Sequence, residues 1–456
     1  MAVGRERRGT PRVATYAPPT ATMSVSVRAL APLHAPAPVS RGSNGARRAR
    51  GAARVVARAS PDADQPSAPL PRRSALFGAL AAAASAAAMS TPAFPPPAFA
   101  DDAPASVPDA DVPAETPPEP PKRVRKNVII TGANSGIGFD GAAKLAALGY
   151  DVTLACRTEA KARDAIDRIR DANPGAVLGQ LRPAECDLAD FASVRRFAAA
   201  WRASGEPLDA LVLNAGVQYS GDDTVRRTAD GLEITVGTNH LGHFLLTNLM
   251  LPDLESAVGT TADGSSPRVV VTASEVHDPA SPGGSVGLGA GLGGLAGLAS
   301  KGADFEMLDG SPYNADKAYK DSKLCNVLFA RELERRLEAR GSAVTVNAFG
   351  PGLITRTGFF RYQNPIFVKL FDVATNDIFH VAETVDGGGD CLVYMVVAPE
   401  LERRGGLYYN NGIAPGEGKT GHKFAEGEVS VEARDDAEAK ELWRYSEQLV
   451  GLASVA

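Results

Sequence analysis

The stretch RKNVIITGANSGIGFDGAAKLAALGYDVTLACR, residues 125–157, restricts the fold more than any other part of the chain. Two short apolar runs, Val128–Thr131 and Asp151–Ala155, flank a helical segment that stops at Gly149. Strand, helix and second strand at that spacing form a βαβ unit, in which the two strands lie parallel and the first strand-to-helix turn faces a ligand. Gly132, Gly136 and Gly138 occupy that turn, with Ser135 and Ile137 between them. Glycines there permit tight curvature and let backbone N–H groups approach a pyrophosphate at the positive end of the helix. The spacing is G-x-x-x-G-x-G rather than the common G-x-G-x-x-G, so the trio alone fits a purely structural turn as well; its place between strand and helix favours phosphate binding.

The end of the second strand selects the cofactor. An acid there would bond the ribose hydroxyls of NAD, whereas arginine accepts a 2′-phosphate. The chain has Cys156-Arg157, with Lys161 one turn on, which points to NADPH; the bland reading is a solvated basic helix start. The alternation then continues. A strand is expected to end near CDLAD, which puts Asp187 and Leu188 beside the adenine. LDALVLNAGVQ is a buried strand closing on Asn214, Ala215 and Gly216; PRVVVTAS and SAVTVNAFGPGLI supply two more. Strands separated by helices predict a doubly wound, parallel α/β sheet of Rossmann type, a single domain over residues 122–456.

Charge is unevenly spread. Of 48 basic and 53 acidic residues, 13 arginines and three acids fall in the first hundred positions, which leaves the remainder at about −15. An acidic body excludes general nucleic-acid binding, which needs basic surface to displace counterions. Residues 1–60, rich in Arg, Ala and Ser, have the composition of a plastid transit peptide. Over 61–100, Arg72-Arg73, a short apolar run and Ala98-Phe99-Ala100 have the layout of a twin-arginine export signal, which predicts a thylakoid address with the lumen as destination. A membrane anchor is the alternative, although the run Ala75–Met89 is short against the ~20 apolar residues of a span. Residues 101–121 are a Pro- and acid-rich linker. Cys156, Cys186, Cys325 and Cys391 show no clustering with one another or with histidine, so reduced thiols are expected and no metal site.

KAYKDSKLCN, Lys317–Asn326, sets Tyr319 and Lys323 four positions apart on one helical face. Together with TGANSGIG, the Asp187-Leu188 pair, NAG at 214–216, NHLGHF from Asn239, Ser274 and Pro351-Gly352, it resembles the short-chain dehydrogenase/reductase family, in that family's order and over about residues 122–411. Two branches compete. SKLCNVLFARELERRL and RVVVTASEVH look like the retinol dehydrogenases. GTNHLGHFLL, KAYKDSKLCN, the TGFFR and PIF pieces, ELWRYSEQLVGLA and the long segment between Ser274 and Tyr319 look like the light-dependent protochlorophyllide oxidoreductases, which carry an insertion there. Two features depart from that second branch: Leu353 stands where a cysteine is usual, and Arg356 lies between Thr355 and Thr357 where a threonine doublet is usual.

The resemblance implies roles. Tyr319 would give a proton to one carbon while hydride from NADPH reaches its neighbour. Lys323 would lower the phenol's pKa from about 10 and hold the nicotinamide ribose. Ser274 would orient the reacting group, Asn239 would anchor a water link to Lys323, and Ile354 would border the nicotinamide. The substrate would be lipophilic or a tetrapyrrole, with peripheral thylakoid contact and self-association both compatible with the branch. Each residue also has a plain reading: Tyr319 as a packed helix residue, Lys323 as a solvated one, Ser274 as a strand end. Cys325 reads as a buried helix residue or a thiol facing substrate; His240 and His243 pack or line the pocket. Against the reductase stands a low-turnover NADPH- or pigment-binding protein, which would not need a tuned acid.

Overall fold

The computed structural model describes residues 122–222, 224–355, 369, 372, 375, 382–413 and 422–452. The two leader signals, the linker, Arg356 and Thr357 lie outside them.

Strand β1 (Asn127–Thr131) leads through the glycine turn into α1 (Gly136–Ala147), which returns to β2 (Asp151–Cys156). The chain continues with α2 (Glu159–Ala172), β3 (Leu181–Glu185), α3 (Phe191–Ser204) and β4 (Ala210–Leu213). Then come α4 (Gly242–Ser256), β5 (Arg268–Thr272), the long α5 (Ala315–Ala339) and β6 (Thr345–Gly350). The final elements are α6 (Val385–Val397), β7 (Tyr408–Ile413), β8 (His422–Glu426) and α7 (Asp436–Leu449).

The strand order is β3-β2-β1-β4-β5-β6-β7-β8, parallel from β3 through β7, with β8 antiparallel to β7. The order reverses direction at β1 and β4, which opens a crevice at the carboxyl ends of those strands, where ligands of open α/β sheets bind. The expected doubly wound sheet is present, and the antiparallel edge strand is an addition to it. YYNNGI and HKFAE carry no run of β-branched residues; their pairing is decided by the neighbours, not by propensity.

Successive strand side chains point to opposite faces, so a sheet covered on both sides needs apolar residues at every position. β1 obeys this. Ile129 packs with Leu211, Val269 and Val346 against α3, α4, α5 and α7. Val128 and Ile130 pack with Val152, Leu154 and Val270 against α1, α2 and α6. Burying one such aliphatic side chain fully is worth about 1.5–3 kcal/mol, and all three are completely buried. α7 closes the first layer by placing Trp443 edge-on to Phe244 at 4.7 Å and stacked on Phe329 at 5.9 Å.

Between β5 and α5 runs an insertion of short helical turns, including Glu275–His277 and Ala296–Lys301. Among the described residues no helix is long and apolar enough to cross a membrane.

Candidate active site

At the carboxyl ends of the strands the glycine turn is shaped by backbone. Gly132 and Gly136 have φ of +65° and +58°, a region that favours glycine. The Gly132 N–H donates to Ala155 O at 2.8 Å, which ties the turn to β2. A methyl at Gly138 would lie 2.3 Å from Asn214 Nδ2 and 2.9 Å from Gly132 O, so only hydrogen fits where the helix meets the turn.

Thr131, at the end of β1, was not singled out by sequence and holds the opposite side. Its hydroxyl accepts from Asn214 N at 2.8 Å and Ala215 N at 3.0 Å and meets His243 Nε2 at 2.9 Å. Asn214 Nδ2 donates to Thr131 O at 2.9 Å. The signal was a polar residue ending an otherwise apolar strand. His243 and His240 are buried and face the core; burial pushes their pKa values down to about 4 and about 3, so both are neutral. His240 meets Ser446 Oγ at 2.9 Å. Cys325 likewise sits in the core, and burial raises its thiol well above the usual value.

One cavity of about 1650 Å³ gathers the site, larger than the ~300–1,000 Å³ of ordinary small-molecule pockets. Its wall includes Gly132, Ser135, Gly136, Ile137 and Gly138 from the turn; Arg157, Asp187 and Leu188 from the ends of β2 and β3; and Asn214, Ala215 and Gly216 after β4. Ser274, Tyr319 and Lys323 border the same space, as do Leu353 and Ile354 after β6. The residues fit a dinucleotide: a glycine turn with positive φ at Gly132 and Gly136, a helix N-terminus beside it, and the exposed Arg157 at the rim.

The Ser274 side chain lies beside the Tyr319 phenol. Burial raises the phenol's pKa well above its usual 10, and Ser274 only partly opposes it. Burial thus outweighs the lowering expected from Lys323. The ammonium lies 5.6 Å from the Tyr319 ring centroid, over its face, and donates to Thr272 O at 3.0 Å. Lys323 is itself almost fully buried, which pushes its pKa down from 10.5 to about 8. A phenol that keeps its proton near neutrality suits a proton donor, the direction a reduction requires.

Asn239 is fully buried. It lies in a π turn, Gly237–Leu241, a form that often marks functional sites. Its Oδ1 accepts from Val217 N at 2.7 Å, and its Nδ2 donates to Val217 O and Ser322 Oγ, both at 3.0 Å. The side chain joins the segment after β4 to α5. Among the described residues no group of acids, cysteines and histidines could hold a metal ion.

Comparison with known proteins agrees with this geometry. Residues 126–303 match the family model described as short chain dehydrogenase. Chloroplastic protochlorophyllide reductase from Chlamydomonas reinhardtii is 36% identical over 337 residues, 74% of this chain and 80% of the relative. The Pisum sativum protein of the same name is 38% identical over 338 residues, 73% of this chain and 80% of the relative. The crystal structure of an uncharacterised Mycobacterium paratuberculosis protein aligns with a TM-score of 0.51 at 29% identity, covering 73% of this chain and 96% of that one.

Proposed function

Because the chain belongs to the short-chain dehydrogenase/reductase family and is an oxidoreductase that uses a nicotinamide cofactor, we propose that it is an NADPH-dependent protochlorophyllide reductase. The observation that carries this reading is the convergence of the glycine turn, Arg157 and the Ser274–Tyr319–Lys323 set on one cavity large enough for a dinucleotide and a second large ligand. The names of the relatives supply the pigment, and the insertion borders the cavity.

Bound NADPH would supply the hydride. Gly132 to Gly138 would cradle the pyrophosphate, Arg157 would pair with the 2′-phosphate, and Asp187 and Leu188 would border the adenine. Tyr319 would hold the proton for the carbon beside the one reduced, across a ring C=C bond. Ser274, beside the phenol, would fix the line of transfer and stabilise the phenolate left behind. Lys323, charged below about pH 8, would contact the nicotinamide ribose and favour that same phenolate through space.

The test is absorption and fluorescence of the purified protein with NADPH and protochlorophyllide, before and after a flash. A product band that appears only after light is expected; binding with no product would leave a pigment carrier instead. SKLCNVLFARELERRL and RVVVTASEVH, which look like the retinol dehydrogenases, favour one second reading, a retinol-type carbonyl reductase. Turnover of a long apolar aldehyde in darkness would select it.

For localisation, residues 1–100 fused to a reporter should enter plastids and be trimmed near Ala100. Arg72 and Arg73 changed to lysine should leave a larger stromal intermediate. A mature protein that keeps Ser74–Ala98 would indicate an anchor.

A further inference from the structure

The insertion has no strand of its own among the described residues, yet charged side chains of α5 bind its backbone at successive points. Lys317 donates to Gly291 O at 2.6 Å and pairs with Asp321 at 2.7 Å and Asp309 at 3.1 Å. Asp321 in turn accepts from Gly291 N at 3.0 Å. One turn along the helix and next to Tyr319, Lys320 sends its ammonium to three backbone carbonyls. These are Gly284 O and Leu288 O, each at 3.0 Å, and Val286 O. An ammonium has three protons to donate, so the three carbonyls saturate it.

Burying such a group is costly unless its protons find acceptors. Lys320 is 7% exposed, and burial holds its pKa below the ordinary lysine value against the pull of Asp316 and Asp321. The chain accepts that cost at a point where Lys320 also borders the cavity. The segment it gathers supplies Pro282, Gly283, Val286, Gly287 and Leu288 to the cavity wall. Val286 and Leu288 are 70% and 55% exposed, so the clamp presents apolar side chains at the mouth instead of letting them collapse into the core.

We propose that Lys320 is a positioning residue that folds segment 282–288 into a fixed apolar lip, and that this lip selects a large, flat, apolar substrate over a small one. The proposal rests on the reductase reading above and deepens it: the glycine turn sets the cofactor, Tyr319 the chemistry, and the lip the size and polarity of what is reduced. A loop tied only by its own turns would sample many shapes and lose affinity to ordering entropy. Tied at three carbonyls, it meets the substrate already formed.

The experiment compares the full-length protein with Lys320→Met and Lys320→Arg. It measures protochlorophyllide affinity, NADPH affinity, turnover at saturating pigment and hydrogen exchange over 282–292. Lys320→Met keeps the length and removes the donors. It should weaken pigment binding about tenfold, a normal loss for charged hydrogen bonds, and speed exchange over 282–288. NADPH affinity should be unchanged, and turnover at saturation should stay within about threefold because Tyr319 and Lys323 are intact. Lys320→Arg, whose planar fork cannot point at three converging carbonyls, should recover the pigment affinity only in part.

Unaltered pigment affinity despite faster exchange would overturn the proposal. So would pigment affinity, NADPH affinity and melting temperature all falling together, which would mark an ordinary structural lysine. If the unsubstituted protein does not bind protochlorophyllide, the substrate reading fails separately. The lip is then judged with retinal against a short aldehyde: Lys320→Met must raise KM for the long substrate alone, and a change in both or in neither sinks it.

Discussion

Around Gly132–Gly138 the cavity wall is shaped by backbone: positive φ, a helix N-terminus, and a contact at Gly138 that no side chain could share. Around 282–292 another stretch of the site is shaped by side chains far along the sequence, as Lys317, Lys320 and Asp321 hold carbonyls and an N–H group of a loop some thirty residues earlier. In the proposed complex the first wall would face the dinucleotide, whose phosphates are always the same, and backbone donors would suffice for it. The second would face the variable ligand, and its shape depends on a few long-range bonds that single substitutions can release. Cofactor binding and substrate choice should therefore be separable by mutation, with Tyr319 at the place where they meet.

The largest effect is expected at that meeting point. Tyr319→Phe keeps the ring and removes the transferable proton, so single-turnover rates should fall by roughly 10²–10⁴-fold while NADPH titrates as before. Near-normal turnover would mean that the proton arrives from bound water.

Gly138→Ala attacks the backbone-built wall alone. Its methyl would lie 2.3 Å from Asn214 Nδ2, and overpacking of this kind costs about 1–3 kcal/mol. NADPH affinity should drop by about ten- to a hundredfold, with hydrogen exchange over 282–292 unchanged. Faster exchange there would show the two walls to be coupled.

Arg157→Ala touches only the cofactor's distinguishing phosphate. NADPH binding should weaken about tenfold, in keeping with the loss of a charge-assisted bond, while NADH binding stays the same. Equal affinity of the unsubstituted protein for both nucleotides would refute the assignment of Arg157.

The smallest effect concerns pH. Burial lowers Lys323 from 10.5 to about 8, so its charge is present below about pH 8 and lost above it. Turnover should decline a few-fold as pH rises through 8. Between about pH 8 and 10.5 the unfolded chain holds the proton that the native chain has released, so folding stability should rise over the same range. Lys323→Arg stays charged and should lose the alkaline limb, though at a lower rate throughout. A flat profile in the unsubstituted protein would remove the charge of Lys323 from the mechanism.

The expected strands at 128–131 and 151–155 match β1 and β2 to within one residue at either end, because strands buried on both faces are written as unbroken apolar runs. β7 and β8 were not legible: YYNNGI and HKFAE are strands only because β6 and each other offer partners. The glycine turn, Arg157, Asn214 and the Tyr319/Lys323 pair could be named in advance because each is a local pattern of residue type and spacing, and the structure places all of them on one cavity. Thr131 and Lys320 could not, since their importance lies in which distant backbone atoms they meet.

Residue order thus settled the sheet's class, the glycine turn and the identity of the paired tyrosine and lysine, since helical spacing and apolar alternation are short-range properties. Only the folded chain decided the state of that pair. Lysine at i+4 suggested a phenol made more acidic, but burial dominates both groups, raising the phenol and lowering the ammonium. Desolvation depends on everything packed around a charge, and no count along the sequence contains it.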